Sequence, residues 1–229
     1  MYGNADHDRV HDAIAEAELR TSGEIFCIVA RESGQYREVA FAWAAGAALL
    51  APPAALIAGL RPSLLAATVR RMENSGWVVG HAGPFDAALL AALIGYAFVQ
   101  LALFVGALGL FSIPAVRRAV TPGGLKTAHV HAKAVEQFAH RLHSATGRTG
   151  VLIFASLAER RVQIIADEDI HARVGDSVWS KAVAEALASM KTGDVAGGLV
   201  AAVKTCGGAL ADHFPPDGSG PGAGDIAEI

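Results

Sequence analysis

The spacing of apolar positions changes several times along this chain, and each change marks an element. Between residues 6 and 20 (DHDRVHDAIAEAELR), Val10, Ile14 and Ala17 fall on one helical face, which predicts an amphipathic helix ended by Thr21-Ser22-Gly23. Glu24 to Ala30 (EIFCIVA) is rich in β-branched and aromatic residues and reads as a strand. Two long apolar runs follow. From Val39 to Leu60 there is no Asp, Glu, Lys, Arg or His, and from Ala87 to Phe111 the only strongly polar side chain is Gln100. A helix needs about 20 such residues to cross about 30 Å of hydrocarbon, so 39–60 and 87–111 are predicted to span a membrane. Pro52-Pro53 predicts a kink in the first span.

Residues 61–86 are expected to form the inter-helix loop. They hold a short amphipathic helix at 63–74, with Leu64, Leu65, Thr68 and Met72 on one face and Trp77 as an interface anchor. Past Pro114, Arg117 and Arg118 mark the exit from the membrane. Residues 127–146 predict a long amphipathic helix whose core stripe is His131, Val135, Phe138 and Leu142. His129, Lys133, Glu136, His140 and His143 form its polar side. A turn at 147–150 leads into Val151 to Leu157 (VLIFASL), a near-continuous apolar run of the kind expected of a central strand covered on both faces. Ala158 to Arg161 turns the chain into a neighbouring strand, Val162 to Ala166. Helices are predicted at 176–190 and 194–210, with Gly193-Asp194 and Gly197-Gly198 serving helix start and packing. PPDGSGPGAGD then reads as a flexible tail.

The expected fold is therefore an α/β layered domain with a mixed sheet, interrupted by a two-helix transmembrane hairpin. Its parts are 1–38 (helix and strand), 39–60 (first span), 61–86 (loop), 87–111 (second span), 112–213 (the rest of the domain) and 214–229 (tail). Because the hairpin separates strand 24–30 from its partners, its two flanks must meet on one side of the bilayer.

Composition sharpens this picture in three ways. The hydrophobic fraction of 52% is concentrated in the two spans, so the lipid bilayer is the first expected partner. A net charge of −3 gives no electrostatic footprint for nucleic acid. Cys27 and Cys206 lie in apolar runs and read as buried thiols, with a disulfide as the alternative. Residues 1–38 start with acidic Asp6, Asp8 and Asp12 rather than the basic-then-apolar pattern of a secretory signal. On the domain side of the spans stand Arg31, Arg37, Arg117, Arg118 and Lys126, against Arg61, Arg70 and Arg71 in the loop. Positive charge favours the cytoplasm, so both termini and the domain are expected there.

Candidate chemistry centres on one acidic stretch. Asp167, Glu168 and Asp169 follow a strand, with Asp176 seven residues beyond Asp169. Carboxylates and backbone carbonyls grouped at such a junction suit a hard cation such as Ca²⁺. The alternative is a solvated strand–helix connection with Asp176 as an N-cap. Glu136, His140 and His143 share a helix face without a completing ligand elsewhere. No GxSxG, CxxC, Walker or GxGxxG sequence is present, so no catalytic residue is assigned.

The stretch TGRTGVLIFASLAERRVQIIADEDI, preceded by strand EIFCIVA, resembles the TPM-domain family. The similarity is to a bacterial membrane branch in which two spans interrupt the domain. It covers about residues 6–38 and 112–213, and the closing DIAEI fits the same branch. The resemblance implies a βαββα-type fold, a place in the bacterial inner (cell) membrane, and the calcium binding and acid phosphatase activity described for some members. Members usually carry a glycine in the turn after the second strand of the pair. Here Asp169 stands in that place, so a different turn geometry is expected. The functional expectation is a membrane-anchored binding or assembly module with a protein partner. The alternative is a metal-assisted phosphomonoester hydrolase at the membrane surface.

Overall fold

The computed structural model describes residues 3–59, 84–144, 150–216 and 226–229, so the helix expected at 63–74, Trp77 and the turn at 147–149 lie outside the described residues. The described chain forms two compact units. One runs up to Gln35 and resumes at Pro122, and the other is Tyr36–Thr121.

The first unit is built around four strands, β1 (Glu24–Ala30), β2 (Gly150–Ser156), β3 (Arg161–Ala166) and β4 (Ile226–Glu228), in the order β3-β2-β1-β4. β1 is parallel to both β2 and β4, while β2 and β3 are antiparallel, so the sheet is mixed as expected. Side chains alternate across the central strand. Ile25, Cys27 and Val29 enter one core, and Phe26, Ile28 and Ala30 enter another.

The first core is covered by three long helices, α1 (Asn4–Glu18), α7 (Asp176–Lys191) and α8 (Val195–His213), together with the short α6 (Glu168–Arg173). Val10, Ile14 and Ala17 of α1 are all buried there, on the face their spacing predicts. α8 approaches both neighbours through glycines. A Cβ on Gly198 would lie 2.6 Å from the Ala186 carbonyl oxygen of α7, and one on Gly207 would lie 2.7 Å from Ala17 Cβ of α1. The link from α1 to β1 is fixed by polar contacts. Glu18 Oε1 accepts from the Ile25 amide at 2.9 Å, and Thr21 Oγ1 donates to the Phe214 carbonyl at 2.7 Å.

The second core is covered by α5 (Gly123–Ser144). Its buried stripe is Val130 and Ala134 with Phe138 beside them. His131 and Val135 are exposed, which corrects the expected stripe by one position. Arg141 completes this side, its guanidinium 5.9 Å from the centroid of the Phe26 ring.

The chain end also departs from expectation. Ile226–Glu228 is not part of a flexible tail but pairs with β1, with Cys27 opposite Ile226. Ile226 is buried, and backbone bonds from Ile229 to Val29 (3.0 Å) and from Arg31 to Ile229 (2.9 Å) extend the pairing.

The second unit contains α2 (Arg37–Ile57), α3 (Pro84–Ser112) and the short α4 (Pro114–Val120). α2 carries Pro52 and Pro53 inside its length and packs on α3. Ala40, Ala44 and Ala48 form a buried small-residue stripe on α2, and Trp43 meets Phe111 with ring centroids 6.1 Å apart. Most of the remaining apolar surface is bare. Phe98 is 58% exposed, Leu101 57% and Val105 59%, an apolar face of the kind that marks a protein or membrane contact surface.

Among the described residues, three helical stretches are long and apolar enough to cross a membrane: Arg37–Ala55, Ala92–Ser112 and Val195–His213. The third is α8, whose Leu199, Ala202, Val203, Cys206 and Leu210 are buried in the first core. Its apolarity is already used in packing the sheet.

Candidate functional site

The sheet of the first unit has two chemically different ends. At one end β3 runs out at Ala166, opposite Val151, and the Asp167 amide donates to the Gly150 carbonyl at 3.1 Å. The acidic stretch lies here. Asp167 is the N-cap of α6, its carboxylate accepting from the Glu168 amide at 2.8 Å. Glu168 and Asp169 occupy the first turn of α6, where negative charge is favoured by the helix dipole. Asp169 is helical. The described non-glycine residues with positive φ are Tyr36 and Arg160, so the left-handed turn does not occur at Asp169.

Asp176 is the first residue of α7, and Gly175 rather than Asp176 is its N-cap. Asp176 Oδ1 lies 3.6 Å from His171 Nε2. Both line a shallow cleft of about 300 Å³ with Ile164, Ala166, Trp179 and Ser180. The Trp179 indole Nε1 is buried without a hydrogen-bond partner. The four predicted residues therefore fall into two places, three at the start of α6 and one beside His171. Among the described residues, no three His, Cys, Asp or Glu side chains are grouped so as to hold a metal ion.

At the other end of the sheet, the carboxyl ends of the parallel strands meet the β2–β3 turn. Ser156, at the end of β2, is buried and linked to the chain leaving β1. The Ser33 hydroxyl donates to Ser156 Oγ at 2.8 Å, Ser156 Oγ donates to Glu159 Oε2, and the Ser33 amide donates to the same carboxylate at 3.1 Å. This network pins the turn. Next in the turn is Arg160, held at φ +52°, a left-handed conformation that costs a non-glycine residue roughly 1–2 kcal/mol. Above Ser156 opens a cavity of about 490 Å³ whose walls include Leu157, Leu187, Met190 and Val195, with Arg160 and Lys191 as its charged side chains. In open α/β sheets, ligands are taken in crevices outside the carboxyl ends of the strands.

Sequence reasoning singled out neither cation. The only local signal is the turn Ala158 to Arg161 itself, which reverses the chain without Gly, Asn or Asp.

The buried thiols stand apart from both ends. Cys27 and Cys206 are unbridged, and burial pushes both thiols well above the usual range. Cys206 and Glu18 add to the effect at Cys27, and Glu185 adds to it at Cys206. Neither is an available nucleophile.

Fold and site together define an α/β layered domain interrupted by an apolar helical pair. Residues 126–209 match the family model of the TPM domain, a region from the first turn of α5 to the last turn of α8. None of the curated proteins matches the chain. Among solved structures, the chain is similar to the NMR structure of the BA42 protein from the psychrophilic bacterium Bizionia argentinensis. The identity is 15% and the TM-score 0.49, over 98% of this chain and 94% of that one.

Proposed function

We propose that this chain is a multi-pass protein of the bacterial inner membrane that displays a TPM-like domain at the cytoplasmic surface as a binding or assembly module. One observation carries the reading. Segments on either side of α2 and α3 build a single sheet, while α2 and α3 themselves leave long apolar faces uncovered. A bilayer covers such faces, and a domain split in this way is held at the membrane by two connections rather than one. The excess of Arg and Lys beside the spans on the domain side supports the cytoplasmic orientation. Alkaline phosphatase and green fluorescent protein, fused in parallel to Ile229 through a flexible linker, test it. Fluorescence without phosphatase activity is the expected result, and the reverse overturns the orientation.

A second reading, metal-assisted hydrolysis of phosphate monoesters, rests on the matched family and on the acidic start of α6. In it, Asp167, Glu168 and Asp169 take Ca²⁺ weakly at the start of α6, with backbone oxygens and water completing the shell. Calorimetric titration of the full chain with Ca²⁺ is expected to show heat at millimolar concentration, on the order of the weak end of protein calcium sites. That heat should be lost in Asp167→Asn. An unaltered titration in that variant removes the acidic turn as the site.

A further inference from the structure

We propose that the cavity at the carboxyl end of β2 is a binding site for an amphipathic organic anion, a phosphate or carboxylate head carried on a compact apolar body. The inference deepens the binding-module reading and rests on it, since it names the ligand that such a module would hold.

Four features converge. The cavity, at about 490 Å³, lies within the range of about 300–1,000 Å³ typical of small-molecule sites. Its body is apolar, with Leu157, Leu187, Met190 and Val195 drawn from the turn after β2, from α7 and from α8. Its two charged side chains, Arg160 and Lys191, are both cations, and among the described residues neither has an ion-pair partner. The acids nearest in sequence are engaged elsewhere. Glu159 accepts from Ser33 and Ser156, and Asp194 caps α8 through the Gly197 amide at 2.7 Å while lying 3.5 Å from Arg9. Two uncompensated cations over an apolar floor select a ligand with one charged end and one greasy end. A guanidinium and an ammonium also divide the work: the first offers a planar fork to two oxygens, the second a point charge.

Arg160 adds an independent indication. Its left-handed backbone would suit glycine, yet an arginine is held there, in a turn tied down by Ser33, Ser156 and Glu159. The strain is retained where the side chain carries charge to the cavity.

The anion has two potential sources, a soluble metabolite or the headgroup of an anionic lipid. The test uses the full chain in phosphatidylcholine nanodiscs, titrated with 1-naphthylmethylphosphonate, which is not hydrolysed, and with uncharged 1-naphthylmethanol as control. Saturable binding of the phosphonate, with little binding of the alcohol, is expected. Arg160→Ala and Lys191→Ala should each weaken it about tenfold, the loss of one charge-assisted hydrogen bond. Arg160→Lys, which keeps the charge but loses the planar fork, should bind with an affinity between those of the wild type and Arg160→Ala. Both positions are exposed, and unchanged thermal unfolding of the variants confirms that they fold. Replacing part of the phosphatidylcholine by phosphatidic acid separates the sources. Competition assigns the site to a lipid headgroup, and its absence assigns it to a soluble anion. Phosphonate binding that is absent, that the alcohol matches, or that changes less than about twofold in the alanine variants overturns the proposal. Stable recovery of a protein partner in the face of that result would leave the binding-module reading standing without this ligand.

Discussion

Gly198 shows how closely α7 and α8 are fitted. Inside a helix alanine is normally favoured over glycine by about 1 kcal/mol. Here the added methyl carbon would stand 2.6 Å from the Ala186 carbonyl oxygen and 3.1 Å from Met190 Cγ. Overlap with a backbone atom can be relieved only by separating the helices, and overpacking of this kind costs about 1–3 kcal/mol. The clash outweighs the propensity, so Gly198→Ala is expected to lower the thermal midpoint of the solubilised chain. Gly208→Ala, on the same helix with nothing within 4 Å of the new carbon, is expected to raise it slightly. Circular dichroism melts of the two variants decide the matter, and a stabilised Gly198→Ala would contradict the packing described. The Gly197-Gly198 pair was legible as packing chemistry because no phosphate-loop residue accompanies it. Arg160 and Lys191 were not legible. They come from a turn and a helix end, and no sequence spacing joins two residues that share a cavity only once the fold brings the β2–β3 turn and the end of α7 together.

At the level of elements, the strands and long helices follow from pattern because burial is decided on both faces of β1 and β2. A run of seven buried residues carries no period of its own, so its shortness and its β-branched and aromatic residues decide for a strand. α5 was placed correctly, but its inward face was displaced by one residue. The reason lies in Ala134, a small side chain that lets the helix approach the sheet and is buried, while the larger Val135 beside it is exposed. Counting large apolar residues favours the wrong stripe when the contact is made by a small one. α6 and β4 were missed for a different reason. Six and three residues are too few to establish a period, and both are fixed by tertiary partners: Asp167 capping one, β1 pairing with the other. The acidic stretch lies after β3 as expected, but Asp167 caps α6 while Gly175, not Asp176, caps α7, and Asp176 sits in the first turn of α7 near His171.

For the whole molecule, the central question is whether the α/β unit depends on the helices inserted in it. All four strands and both cores lie outside 36–121. The returning chain is anchored beside the β2–β3 turn, where Arg161 Nη2 donates to the Gly123 carbonyl at 3.2 Å. β1 leaves the sheet at this same end, since Ala30 is opposite Ser156. A short bridge can therefore join Gln35 to Pro122, and closing such a loop costs little because the entropy grows only with the logarithm of its length. The chain with 36–121 replaced by a Gly/Ser linker is expected to be soluble without detergent and to unfold in one cooperative transition in urea. Aggregation of that protein would show that the helices are needed to complete the fold.

The order of the strands carries a consequence for how the protein is made. β1 is the central strand, yet β2 begins about 120 residues later and β4 about 200 residues later. At about 5–20 residues per second, a ribosome delivers the first partner roughly 6–24 s after β1 itself. On the proposed membrane reading α2 and α3 insert during that interval, while β1 waits with both edges open to any strand that meets it. On that reading insertion comes first, pairing of β1 with β2 second, and closure of the other edge of β1 by β4 last.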